Sequence, residues 1–167
     1  MITLEELLQS GVDHAHKILI EERRKTLTHF YNLVSRNGEM AMVMVHWQSE
    51  IEKEVMLAGV RKLAIERDAV MAMGLSEAWA LSPPKGVIQT LEEGRRWMRN
   101  VGPPAEHPQR QEVVMIFATD GERTIGKMLH MKRIRPGGRI TALVPEETDA
   151  GHFEGRIIDV LPKRQDA

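Results

Sequence analysis

Two histidines face each other across a turn signal in the stretch Leu27 to Glu50, LTHFYNLVSRNGEMAMVMVHWQSE. Two strand-like runs flank Asn37-Gly38, the dipeptide best suited to a type I′ turn, because both turn positions need positive φ. Read as a two-residue loop, the turn pairs Arg36 with Glu39, Leu33 with Met42, Tyr31 with Met44 and His29 with His46. Side chains directly opposed on one face have Cβ atoms ~4.5–5.5 Å apart, close enough for two imidazoles to share a metal or a proton. Glu50 follows His46 by four residues. Two histidines and a carboxylate suit a divalent cation and the hydrolytic chemistry it supports. The plainer alternative is a pair of strand-end histidines meeting solvent, and no HExxH-type spacing backs the metal set.

Glu77 is the second candidate. Alternation along AVMAMGLSEAWALS places it with Met71, Met73, Leu75, Trp79 and Leu81. A carboxylate among such neighbours is desolvated and its pKa rises, which describes a tuned acid or base and equally a structural ion pair. Basic residues supply the third. RRWMR, with Arg95, Arg96 and Trp97, and GKMLHMKRIRPGGR, with Lys132, Arg133 and Arg135, combine cations with an aromatic ring in the manner of phosphate clamps and base-stacking sites. The competing reading is a solvated charged face. His14 and His16 look like a chelating pair, but residues two apart on a helix point to nearly opposite sides.

Several chemistries are excluded. No cysteine is present, so thiolate nucleophiles, disulfides and thiolate metal sites are out. Neither GxxxxGK[ST] nor GxGxxG occurs, and no GxSxG nucleophile elbow. No apolar run of membrane-spanning length appears. The opening MITLEELLQS carries acids where a signal peptide carries bases, so a cytoplasmic protein is expected. Net charge is −1, but residues 1–81 hold 9 basic and 12 acidic side chains against 14 and 12 in residues 82–167. The six bases from Arg123 to Arg139 are uninterrupted by acid. Such a bias attracts a small anion such as a nucleotide, while the overall balance argues against a duplex nucleic-acid coat.

The elements that must position these residues follow from local signals. Thr3-Leu-Glu-Glu6, Ser49-Glu-Ile-Glu52 and Thr90-Leu-Glu-Glu93 are capping boxes, predicting helices over 4–24, 49–67 and 90–99. Ser10-Gly11 is a candidate break in the first. The second has apolar residues on more than one stripe and is expected to be covered on much of its surface. Strands are predicted for both arms of the Asn37-Gly38 hairpin, over 69–82, on either side of Asp120-Gly121, and over 139–144, with a last short strand near 155–161. Two Pro-Pro pairs bracket a long connection at 83–111. The order is α-β-β-α-β-(short α)-β-β-β in a single domain over 1–167, an α+β fold with one mixed or mainly antiparallel sheet and packed helices.

The two-residue turn places Leu27, Tyr31, Leu33, Met40, Met42 and Met44 on one face of the hairpin and Phe30, Val34, Ala41, Val43, Val45 and Trp47 on the other. Both faces need cover, from helices or from another subunit, and the 11 methionines provide adaptable packing for either. A homo-oligomer is therefore expected. The α-β-β-α-β order is similar to the opening of the cytidine-deaminase-like fold, without that family's cysteine zinc ligands. SEAWAL, the proline-rich loop and EHPQRQEVVMI, together about residues 70–117, resemble small uncharacterised phage-encoded proteins, a resemblance that implies no activity.

Taken together the residues favour a non-enzymatic, oligomeric binding protein without a cofactor. It would recognise a host protein or a small anionic ligand through the 83–111 loop and through Arg95, Arg96, Trp97, Lys132, Arg133 and Arg135. The alternatives are a metal-dependent hydrolase with one divalent metal on His29, His46 and Glu50 and Glu77 as acid or base, and a purely structural assembly subunit.

Overall fold

The computed structural model describes residues 2–81, 86, 88–146 and 159–161. Helix α1 covers Leu4–His16, strands β1 and β2 cover Phe30–Ser35 and Met40–Met44, helix α2 covers Glu50–Glu66 and strand β3 covers Ala69–Ala80. Helix α3 (Leu91–Val101) and a single 3-10 turn lead to β4 (Gln111–Thr119), β5 (Thr124–Arg133) and β6 (Ile140–Pro145). This is the expected α+β order. The strand expected near 155–161 falls mostly outside the described residues. Of its described part, Val160 and Leu161 are buried against α2's side of the sheet without being strand.

All three capping signals are used. Thr3 accepts from the Glu6 amide and Thr90 from the Glu93 amide, and in both boxes the glutamate side chain reaches back to the N-cap backbone. Ser49 Oγ accepts from the Glu52 amide at 3.1 Å, while Glu52 reaches one residue further, to the Gln48 amide at 2.6 Å. Gly11 does not break α1. The helix instead widens into a π-turn over Lys17–Glu21, and Arg23, at φ 56°, ends it.

The described strands form one antiparallel sheet in the order β2-β1-β3-β4-β5-β6. One face packs on α1: Leu4, Leu7, Leu8, Ala15 and Leu19 meet Phe30, Val34, Met73, Leu75, Ile116 and Leu129. The other packs on α2, where Leu57, Val60 and Ala64 meet Tyr31, Leu33, Ala72 and Phe117. Gly74 is required here, because a Cβ at that point would run into the Phe117 ring.

The first hairpin departs from the expected register. Ser35 N donates to Glu39 O and Gly38 N to Ser35 O, so the loop is Arg36-Asn37-Gly38 with Gly38 alone at positive φ, 87°. Asn37 Oδ1 accepts from the Glu39 amide and the Ser35 hydroxyl and so holds this three-residue form. Phe30 therefore lies opposite Met44 and Leu33 opposite Ala41. The one-residue slip reverses β2, so Met40, Met42 and Met44 share the α1 face with Phe30 and Val34. It also separates the histidines, since Val45, not His46, is the residue that bonds to the His29 carbonyl.

Candidate functional site

The chemistry-bearing side chains gather where β1 begins, β2 ends and β3 passes its middle. Thr26 to His29, Val45 to Trp47, Ser76 and Glu77 line an open cleft of about 380 Å³. The connection entering β1 and the one leaving β2 part there to reach helices on opposite faces of the sheet.

His29 lies with Tyr31 and Trp47, its ring centroid 4.5 Å from that of Trp47 in an edge-to-face contact and 5.2 Å from that of Tyr31. Its Nε2 is buried without a hydrogen-bond partner. Burial, aided by the nearby Lys53 ammonium, pulls the imidazole pKa down to about 4. His29 is thus a neutral aromatic packing element at neutral pH, poorly matched to a base that must titrate near 7. His46 lines the same cleft but alternates to the other face. Glu50 opens α2, exposed, with Lys53 Nζ 3.7 Å away. No cluster of three or more histidine, aspartate or glutamate side chains able to hold a metal ion occurs among the described residues. His29, His46 and Glu50 are not brought together as ligands, because their expected convergence depended on the register that the three-residue turn replaced.

Glu77 is half-buried, and its carboxylate accepts the Leu27 amide at 2.6 Å. Desolvation raises its pKa, with the Leu27 amide and the Arg133 charge working in the opposite direction. Close by, Arg133 makes a bidentate pair with Glu112 at 2.5 and 3.0 Å, donates to Gly138 O at 2.7 Å and reaches Lys25 O at 3.2 Å. These bonds tie the segment between α1 and β1 to the end of the sheet where β4 begins and β5 finishes. They also occupy the Arg133 fork, which is only 11% exposed and has little left to offer an anion.

The remaining basic candidates are dispersed. Arg95 and Arg96 are exposed on α3, Arg96 lying 3.7 Å from Glu92, and Trp97 is half-buried. Lys132 is exposed on the face opposite Arg133, and Arg135 is exposed in the β5–β6 turn. The α3 helix has no extensive contact with β5 or β6 among the described residues. The first helix keeps its two histidines apart as spacing required, His14 packing edge-on against Phe30 and His16 lying 3.5 Å from Glu21.

Three features had no strong signal in the sequence. Asn32 sits in the middle of β1 between Met42 and Met73, 7% exposed, with its Oδ1 unpartnered. His130 lies 3.9 Å from Glu146, a pairing that depends on the β5–β6 register. Trp79 is covered by the Arg110 guanidinium at 4.5 Å, and only strand pairing could announce that contact. A fourth feature is apolar. Met40, Met42 and Met44 on β2 are 51, 56 and 68% exposed, and Ile51, Val55 and Ile65 form an exposed stripe on α2. The wide apolar surface of α2 is therefore not covered as periodicity suggested; only Leu57, Val60 and Ala64 are buried.

No family model, curated protein or solved structure matches the chain.

Proposed function

We propose that this chain is a non-enzymatic binding protein that works by association with another polypeptide. The observation that carries the reading is the contrast between its polar and apolar surplus. Arg133, Glu112 and Glu77 engage one another and the chain's own backbone, and His29 is held neutral inside an aromatic cluster. Large apolar side chains, by contrast, stand in solvent along β2 and the outer side of α2. Exposed apolar stripes of this kind mark association surfaces. The occupied Arg133 fork favours a protein partner over a small anion, for which Arg95, Arg96, Lys132 and Arg135 would remain as scattered contacts.

Native mass spectrometry of the untagged protein, with elemental analysis of the same sample, tests the reading. An assembly larger than one chain, free of stoichiometric metal, is the expected result. A single chain carrying a divalent metal that is lost in His29→Ala would replace it with the hydrolase.

A further inference from the structure

Strand β2 is the last described strand on its side of the sheet, and two hydrogen bonds establish which of its groups face outward. Ser35 N donates to Glu39 O and Val45 N donates to His29 O, both at 2.9 Å. In an antiparallel ladder the N–H and C=O of one residue point the same way, and the direction alternates along the strand. Glu39, Ala41, Val43 and Val45 therefore turn their backbone groups toward β1. Met40, Met42 and Met44 turn theirs away, toward a side with no described strand.

The same three residues carry the exposed methionine side chains. They project on the α1 side of the sheet, opposite Val34, Asn32 and Phe30. Helix α1 packs on β3, β4 and β5 and has no extensive contact with β2. An open cleft of about 420 Å³ instead separates Met42 and Met44 from His14, Ile18 and Glu22. From Met40 to Val45 there is no charge and no proline. Edge strands of soluble proteins ordinarily carry such guards against pairing, and here none is present.

We propose that β2 pairs with β2 of a second copy of this chain, antiparallel about a two-fold axis through Met42, joining the two sheets into one. The proposal rests on the binding reading and specifies its partner. The run from Met40 to Val45 argues for a copy over a foreign strand, because it carries no charge for an unlike strand to complement and is matched in length and apolar character by itself. Its outward groups are evenly spaced, so a two-fold at Met42 brings Met42 to the partner's Met42 and Met40 to the partner's Met44. Each is a hydrogen-bonded pair, about six backbone bonds in all, and every outward group of the strand is used. The symmetry places no like charges in opposition along the run. It makes a single methionine patch on one face, with the partner's Met40 beside Met44 at the mouth of the cleft. Such an interface is isologous and closes on itself as a dimer.

The chain lacks cysteine, so engineered thiols report the register directly. Under mild oxidation Met42→Cys is expected to give a covalent dimer, because residue 42 meets itself, while Met44→Cys is expected to stay uncross-linked. By sedimentation velocity the wild type is expected to be a dimer. Met42→Pro, which removes an outward N–H and no bond to β1, is expected to abolish it. Met42→Lys, which opposes two ammonium groups across the axis while keeping the amide, gives the same readout should the proline variant fail to fold. A dimer that survives Met42→Lys, or cross-links through Met44→Cys in preference to Met42→Cys, overturns the β2 pairing while leaving a binding protein that uses another surface. Loss of that dimer in Ile51→Glu would locate the surface on α2. A wild type that is monomeric throughout overturns the pairing outright, and binding to a different polypeptide would then have to carry the reading of function.

Discussion

Gly11 and Gly59 stand inside two helices opened by the same Ser/Thr-x-x-Glu signal, and their surroundings are opposite. A Cβ added at Gly11 would lie 2.7 Å from Cγ2 of Ile116 and 3.1 Å from Sδ of Met73. One added at Gly59 would meet nothing within 4 Å. Helix α1 is pressed into the centre of the sheet, so close that only glycine fits at one contact. Helix α2 touches the sheet along one narrow line and leaves Ile51, Val55 and Ile65 in solvent. Local start signals and apolar content are thus poor guides to how much of a helix is covered. What decides is where the sheet lies and how near the backbone approaches it.

Side-chain truncation should expose this difference most strongly. Leu7→Ala, at a fully buried α1 position, is expected to cost ~2–5 kcal/mol in urea unfolding. Val55→Ala, on the outer side of α2, should stay within about 0.5 kcal/mol in the isolated chain. A large loss at Val55 would mean that the stripe is packed against something in solution.

The glycines give the next contrast. Gly11→Ala should destabilise by ~1–3 kcal/mol despite alanine's better helix propensity, because Ile116 and Met73 must move. Gly59→Ala should instead stabilise by ~0.5–1 kcal/mol, since the backbone is helical and the site open. Paired thermal melts would reveal the opposite signs, and a destabilising Gly59→Ala would erase the distinction between the helices.

The pH dependence supplies the remaining contrast, and there the two faces again oppose each other. On the α2 side, burial and Lys53 lower the His29 pKa from 6.5 to about 4. The unfolded chain then binds a proton that the folded chain refuses, so the contribution is present above the unfolded value and is lost as pH falls through that window. On the α1 side, desolvation raises the Glu77 pKa above the ordinary carboxylate value. Its contribution is present below the unfolded pKa and is lost as pH rises through the folded one. Urea midpoints across pH should therefore lose their acid-side slope in His29→Phe and their opposite, carboxylate-range slope in Glu77→Gln. A profile unchanged in both variants would remove either group as a determinant.

Much of the fold was legible in advance. The capping boxes mark where α1, α2 and α3 begin, because a short side chain satisfying an amide three residues on is a local matter. The six strand runs from β1 to β6, in their order along the chain, were equally readable from alternation and turn residues. The hairpin register was not. Both faces of β1 and β2 are apolar, so the hydrophobic pattern could not discriminate between two registers one residue apart, and the choice fell to the turn. Asn37-Gly38 suits a two-residue loop, yet bonds among Ser35, Asn37, Gly38 and Glu39 close a three-residue one. That single residue dissolved the expected His29–His46–Glu50 set and carried the methionines of β2 to the α1 face.

The candidate sites divide in the same way. The burial of Glu77 followed from its neighbours along the strand, as alternation alone implied. The consumption of Arg133 did not, because Glu112 and Lys25 reach it from distant parts of the chain. By itself, then, the sequence determined the helix starts, the succession of elements along the chain and the absence of thiol chemistry, all of which depend on residue type or on neighbours a few positions apart. Only the tertiary structure decided the register, the exposed side of α2, the place of β2 at the margin of the described sheet and the engagement of Arg133. Each of these turns on which distant surfaces meet, and on hydrogen bonds whose small free energies select between arrangements that the apolar pattern leaves nearly equivalent.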